Sequence, residues 1–210
     1  MTKKAWIAAA LLLPAAAAWA DPPGSAFAHF NSGNAAMDMS QYDRAIAEYT
    51  AALKLDPNLA AAYNNRGNAY NKKGMYDRAI EDYNEALRID PNYAAAYTNR
   101  GNTYRKKGMY DRAIEDHNAS LRIDPNYADA YNQRCYTYMG KGDYSRALED
   151  INQAIRLEPN KANWYDSRGE VYLNMGDYDR SIADYEQALR IDPNFTNAQQ
   201  MLQKAKSRGR

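Results

Sequence analysis

The sequence predicts an all-α chain, a stack of five helical hairpins closed by one further helix at the C-terminus. Three observations carry that prediction. Prolines 57, 91, 125, 159 and 193 recur every 34 residues, four of them in Asp-Pro-Asn and one in Glu158-Pro159-Asn160. Inside each period, two stripes of small and aromatic residues repeat at helical spacing. Tyrosine dominates the aromatics, with 19 against 3 Phe and 3 Trp, in a chain also rich in alanine, as close-packed helices with bulky knobs between small residues require. A fixed period of this length marks a repeat architecture. Five units follow, 26–59, 60–93, 94–127, 128–161 and 162–195.

Each element has a local reason. In the second unit Tyr63, Gly67 and Tyr70 stand at i, i+4 and i+7, one face of a helix. Ala79, Tyr83 and Ala86 make a second stripe with the same spacing. Gly74 lies between them, where a helix end favours a left-handed residue. Asp77 follows, suited to cap the next helix or to place charge on its N-terminus. Asp90-Pro91 then stops the second helix, because the residue before proline avoids helical angles. A single hairpin cannot bury both stripes, but a neighbour covers them, and stability becomes a sum of nearest-neighbour terms.

The second unit reads AAAYNNRGNAYNKKGMYDRAIEDYNEALRIDPNY, and it resembles the tetratricopeptide repeat (TPR) family, whose pattern of small and aromatic positions falls here on Tyr63, Gly67, Tyr70, Ala79, Tyr83, Ala86 and Pro91. The resemblance extends over all five units in register. It implies a right-handed α-α superhelix in which the first helix of each hairpin lines a concave groove, and a protein that binds rather than catalyses.

The departures are small residues at close-contact positions. Cys135 replaces the glycine at position 8 of unit 4, Ser120 the alanine at position 27 of unit 3, and Ser181 the alanine at position 20 of unit 5. Cys135 is the only cysteine, so no intramolecular disulfide or cysteine-cluster metal site is available. It reads as a buried apolar group. His29 and His117 replace aromatics and are expected to be half-buried. Unit 1 is the loosest match, with Ser40 at the turn glycine, and fits an end cap. Residues 196–210 place Ala198, Met201, Leu202 and Ala205 at helical spacing and end in basic residues, as a solvating cap helix would.

Residues 1–20 stand apart. Lys3 and Lys4 precede an apolar run from Ala5 to Leu13, Pro14 breaks it, and Ala18-Trp19-Ala20 supplies a small-x-small cleavage signature, the three-part pattern of a secretory signal. The run is shorter than the roughly 20 residues that a bilayer-spanning helix needs. Cleavage after Ala20 is expected, leaving a spacer at 21–25 and a periplasmic or secreted protein with no membrane insertion. An uncleaved N-terminus would instead tether the scaffold to a membrane.

A ladder of charges runs through the repeats. Arg66, Arg100, Arg134 and Arg168 occupy position 7, and Asp82, Asp116, Asp150 and Asp184 occupy position 23 of the same units. These positions lie equally far from the turn, so in an antiparallel hairpin they share a level. Each Arg is expected to pair with the Asp of its own hairpin, and to reach a neighbouring unit. Unit 1 carries Ser32 and Glu48 instead.

The face that the resemblance assigns to the groove is rich in amides and cations: Asn31 and Asn34 in unit 1, Asn64, Asn65, Asn68, Asn71 and Lys72 in unit 2, and Asn99, Asn102, Arg105 and Lys106 in unit 3. An amide offers both a donor and an acceptor, and so matches a peptide backbone whatever its sequence. The same residues would also serve simply to solvate a polar face. Unit 3 carries a net +2 and unit 5 a net −4, so the middle of the groove should favour an acidic or C-terminal segment.

The formal net charge is +1, which gives no global drive toward nucleic acid or an anionic membrane. No phosphate-binding glycine loop, metal-binding spacing or nucleophile motif appears, so neither catalysis nor a cofactor or metal is expected. The expected function is a protein–protein interaction scaffold that holds an extended segment or partner protein. A self-associating structural scaffold, and hence a homo-oligomer, is the alternative.

Overall fold

The computed structural model describes residues 24–209; the expected signal segment, and most of the spacer after it, lie outside the described residues. The described chain forms eleven helices: α1 (Ala26–Asp38), α2 (Tyr42–Leu55), α3 (Ala60–Lys72), α4 (Tyr76–Ile89), α5 (Ala94–Lys106), α6 (Tyr110–Ile123), α7 (Ala128–Gly140), α8 (Tyr144–Leu157), α9 (Ala162–Met175), α10 (Tyr178–Ile191) and α11 (Thr196–Arg208). They pair as five antiparallel hairpins with α11 closing the stack. Each helix packs on the next in sequence. The odd-numbered helices also touch the next odd-numbered helix, whereas the even-numbered ones do not meet one another. The odd helices therefore crowd the inner, concave side of a right-handed α-α superhelix.

Close approach within each hairpin rests on one pair of positions. A Cβ added to Gly67 would fall 2.7 Å from Cε1 of Tyr83, and the rings of Tyr49, His117 and Tyr185 leave equally little room over Gly33, Gly101 and Gly169. The rings of Tyr49, Tyr83 and Tyr185 are fully buried, each adding on the order of 2 kcal/mol through removal from water. Hairpin 4 solves the same problem differently: Cys135 and Ile151 are both fully buried in one cluster with Trp164 and Val171. Burial raises the Cys135 thiol well above its ordinary value, so it is held as an unreactive thiol.

The turns follow from backbone sterics. Gly74, Gly108, Gly142 and Gly176 all adopt positive φ, between 74° and 79°. Ser40 takes the same region, at φ 57°, without glycine's freedom from a Cβ. Between hairpins, the Asp side chain that precedes four of the five prolines folds back. Asp90 Oδ1 accepts from Asn92 N at 2.9 Å, and Asp56, Asp124 and Asp192 do likewise.

Of the two roles expected for Asp77, the structure selects charge on the helix N-terminus: Asp77 sits in the first turn of α4, whose N-cap is Met75 with no side-chain cap bond. There it receives Lys107 from the following hairpin, as Asp43 receives Lys73 and Asp111 receives Lys141. In hairpins 4 and 5 it is Asp143 and Asp177 that cap, accepting from the backbone N–H of Arg146 and Arg180. His117 is fully buried rather than half-buried, because it fills a tyrosine site between helices. His29 is partly buried and bonds Glu48 at 2.8 Å, so hairpin 1 links its helices through a different pair from the other four.

Candidate peptide-binding groove

The walls of the groove are braced by the arginines. Arg66 donates from Nε to Asp82 Oδ2 at 2.8 Å and from Nη2 to Oδ1 at 2.7 Å. Arg100–Asp116, Arg134–Asp150 and Arg168–Asp184 repeat this fork within 0.1 Å. The remaining Nη1 reaches the preceding hairpin, donating to Thr50 Oγ1, Asn84 Oδ1, Asn118 Oδ1 and Asn152 Oδ1 in turn. Each guanidinium also lies 5.5–5.6 Å from the ring centroid of the tyrosine three residues earlier. One side chain thus ties two helices of its own hairpin to the hairpin before it, with its planar donors satisfied. The aspartates are almost fully buried, so this is architecture, not a free charge for a ligand.

The asparagines divide into two sets. Asn34, Asn64, Asn65 and Asn99 are occupied with one another and with the core. Asn65 Nδ2 donates to Asn34 Oδ1 at 2.9 Å, Asn64 Nδ2 to Asn65 Oδ1 at 3.0 Å, and Asn99 Nδ2 to Asn64 Oδ1 at 3.0 Å. Asn64 is only 4% exposed. A chain of amides therefore stitches α1 to α3 and α3 to α5, and Asn64 is a buried rung rather than a groove contact. Asn31 is exposed on α1 and does not line the cavity described next.

The second set opens onto a cavity of about 410 Å³ between α1, α3, α4, α5 and α7, lined by Asn68, Asn71, Lys72, Asn102, Arg105 and Lys106 together with Met37, Tyr83, Asn99 and Gln133. Three of its lining residues are cationic and none is acidic. Lys106 Nζ donates to Asn71 Oδ1 at 2.5 Å, and none of the three cations has a carboxylate partner among the described residues. Burial lowers the basicity of Arg105; burial, then repulsion from Lys72 and Arg105, lowers that of Lys106. Such a site gains from receiving negative charge.

Further along, the character reverses. Arg105 stacks over Tyr136, 5.8 Å from its centroid. Tyr136 Oη lies 3.0 Å from Ser167 Oγ. On α9, burial pushes Asp166 up to about 6, opposed by the Asn197 amide and reinforced by Glu170. Burial also raises Glu170. Asn197 Nδ2 donates to both oxygens of Asp166, at 3.0 and 2.8 Å, and so fastens α11 to the end of the groove.

Sequence reasoning singled out the cations and the asparagines but not how the amides divide. Gln133 falls on the groove face by its repeat position, whereas Tyr83, read from the sequence as a core aromatic, is a lining residue that only the structure reveals. Among the described residues no cluster of three or more metal-ligating side chains occurs, and no helix is long and apolar enough to cross a membrane.

The fold and its inner face define a helical-hairpin solenoid of the class that serves as a protein–protein interaction scaffold. A family model described as TPR repeat matches residues 33–74 and 67–108, and two described as Tetratricopeptide repeat match 94–127 and 134–206. The chain belongs to the tetratricopeptide repeat family. No curated protein matches it. Among solved structures it is similar to TTC0263, a thermophilic TPR protein of Thermus thermophilus, with 24% identity and a TM-score of 0.77 over 87% of this chain and 99% of that one. It is similar to MamA, at 26% identity and a TM-score of 0.64 over 77% and 94%. It also resembles YrrB, described as a TPR protein with an unusual peptide-binding site, at 23% identity and a TM-score of 0.61 over 83% and 90%. These likenesses extend the agreement in fold.

Proposed function

We propose that this protein is an exported interaction scaffold that holds an extended peptide segment of a partner in its concave groove. The observation that carries the reading is the cavity between α3, α5 and α7, where amide side chains and three cations without carboxylate partners among the described residues converge on an unfilled space of about 410 Å³. Amides that can donate and accept are suited to a peptide backbone in extended form. The Arg–Asp braces beneath hold the odd helices at fixed spacing, so the groove is preorganised and little ordering is left for the moment of binding. The signal-like pattern of residues 1–20 supports residence in the periplasm or outside the cell.

A peptide-array screen with the purified chain tests the groove. Asn68→Ala and Asn102→Ala should each weaken the binding of selected peptides at least several-fold; unchanged affinity in both would sink the reading. Mass spectrometry of the exported chain should find Asp21 as the first residue, and an intact N-terminus in a membrane fraction would replace export with tethering. Light scattering across concentration separates a monomeric scaffold from one that self-associates.

A further inference from the structure

In hairpins 1 and 2 the buried tyrosine donates to the asparagine above it: Tyr49 Oη to Asn34 Oδ1 at 2.7 Å, and Tyr83 Oη to Asn68 Oδ1 at 2.8 Å. The equivalent residues of hairpin 5 are Tyr185 and Glu170. Tyr185 keeps the ring position, since a Cβ on Gly169 would fall 2.9 Å from its Cε1, and its hydroxyl is carried toward residue 170. Yet Tyr185 is fully buried and its Oη has no partner. Native structures rarely leave such a group unsatisfied. Burial, then the charges of Asp166 and Glu170, raise this hydroxyl well above its ordinary value. Hairpin 5 pairs Asp184 with Arg168, Asp177 with Arg180 and Glu186 with Lys206 of α11. Asp166 and Glu170 have no ion-pair partner among the described residues. Asp166 accepts only from the neutral Asn197 amide. Burial raises Glu170 against the Tyr136 hydroxyl and the charges of Lys204 and Arg105. Two uncompensated carboxylates and a buried, unsatisfied hydroxyl therefore lie together.

We infer that the C-terminal end of the groove is a subsite for a primary ammonium group, anchored by Glu170, with Asp166 as a second negative charge and the hydroxyls of Tyr136, Ser167 and Tyr185 around it. This rests on the groove reading above and goes beyond it in placing a cation of the partner on hairpin 5. An ammonium carries three donors on a compact charge and needs acceptors on several sides. Glu170 supplies the charged acceptor. Tyr136 Oη on α7 and Ser167 Oγ on α9, 3.0 Å apart, supply neutral ones from two helices. Asp166 stands one turn before Glu170 and is held in place by Asn197, so its charge is fixed. As the incoming cation draws the Glu170 carboxylate over the floor, Tyr185 gains the acceptor that its proton lacks. A guanidinium is wider and planar, and seeks both oxygens of one carboxylate; Asp166 cannot offer them, because both accept from Asn197. The residues equivalent to Glu170 in hairpins 1 to 4 are Asn34, Asn68, Asn102 and Tyr136, so only hairpin 5 places a charge there. The ammonium can come from a lysine side chain or from a chain N-terminus.

Four peptides test the subsite when titrated into the isotope-labelled chain and followed by NMR: Ac-Gly-Lys-Gly-amide, Gly-Gly-Gly-amide with a free N-terminus, Ac-Gly-Arg-Gly-amide, and neutral Ac-Gly-Gln-Gly-amide. The expected result is a saturable shift of the Glu170 carboxyl carbon and the Asn197 side-chain amide with one or both ammonium peptides. Their binding should be roughly tenfold tighter than that of the neutral peptide, the order that one charge-assisted hydrogen bond supplies. The first two peptides tell a lysine side chain from a chain terminus. Glu170→Gln should erase the preference. Tyr185→Phe removes only the buried hydroxyl, so it should leave the fold intact and weaken ammonium binding roughly threefold, about the worth of one hydrogen bond. Equal binding of ammonium and neutral peptides, or ammonium affinity unchanged in either variant, would overturn the subsite. An arginine peptide bound as tightly as the ammonium ones would overturn the choice of cation. If the neutral peptide still shifts Asn68, the wider groove reading survives these failures. Should no peptide shift any groove signal, both readings fall.

Discussion

Ile151 packs with Cys135 in the core of hairpin 4, where the other four hairpins set an aromatic ring over a bare glycine. The two positions are coupled by volume: a ring needs the glycine, and a side chain at the glycine position needs a smaller partner. Ile151→Tyr alone should overpack and destabilise by about 1–3 kcal/mol. Combining it with Cys135→Gly should recover at least ~1 kcal/mol of that loss, a coupling that a double-mutant cycle in urea would measure. Strict additivity would refute the link.

The Arg–Asp forks and the Lys–Asp contacts should differ sharply in worth. Asp116 is almost fully buried, so Arg100→Met strands a carboxylate and should cost roughly 3 kcal/mol, while Arg100→Met with Asp116→Leu should come back close to the parent. Lys107→Ala breaks a contact to an aspartate that is 83% exposed and should cost no more than ~0.5 kcal/mol. Chemical denaturation of the three variants decides both statements.

Ser40 carries the strain of a left-handed turn that four glycines carry freely. Ser40→Gly should therefore stabilise hairpin 1 by about 1 kcal/mol. Thermal melting reads the gain as a rise of a few degrees.

Two buried groups give acid responses of opposite sign. Burial takes Asp166 from 3.8 to about 6 in the folded state, so the native form holds the extra proton more tightly, and stability from this group rises as pH falls from 6 toward 4. Burial, aided by Arg105 and Arg134, takes His117 from 6.5 to about 3, so the unfolded form holds that proton more tightly, and stability is lost as pH falls from 6.5 toward 3. Each effect is on the order of 3–5 kcal/mol. Asp166→Asn should raise stability at pH 7 and steepen the acid loss. His117→Tyr should reverse the slope between pH 6 and pH 4, so that the protein gains stability on mild acidification. Urea titrations at several pH values would expose either slope as absent.

Much of this molecule was legible without coordinates because a 34-residue period repeats the same local physics five times. The Arg66–Asp82 fork could be placed from register alone, since the two residues are equidistant from the turn. The reach of Arg66 to Thr50 could be expected but not assigned an acceptor. The groove was harder. Asn64 and Asn68 are both amides on one helix, four residues apart. Only the neighbouring helices make one a buried rung and the other a cavity wall.

The sequence by itself determined the helices, the turns and the order of stacking, because these depend on spacing, on glycine and proline, and on small residues facing large ones within a single unit. Tertiary structure alone decided which polar groups remain available. Hydrogen-bond satisfaction depends on distances between hairpins, and these set Asn65 on Asn34 while leaving Asn102, Arg105 and His117 without partners. His117 could be seen in the sequence as a departure from tyrosine. That Asn102 Oδ1 thereby lacks the hydroxyl that Asn68 receives from Tyr83 follows only from the structure.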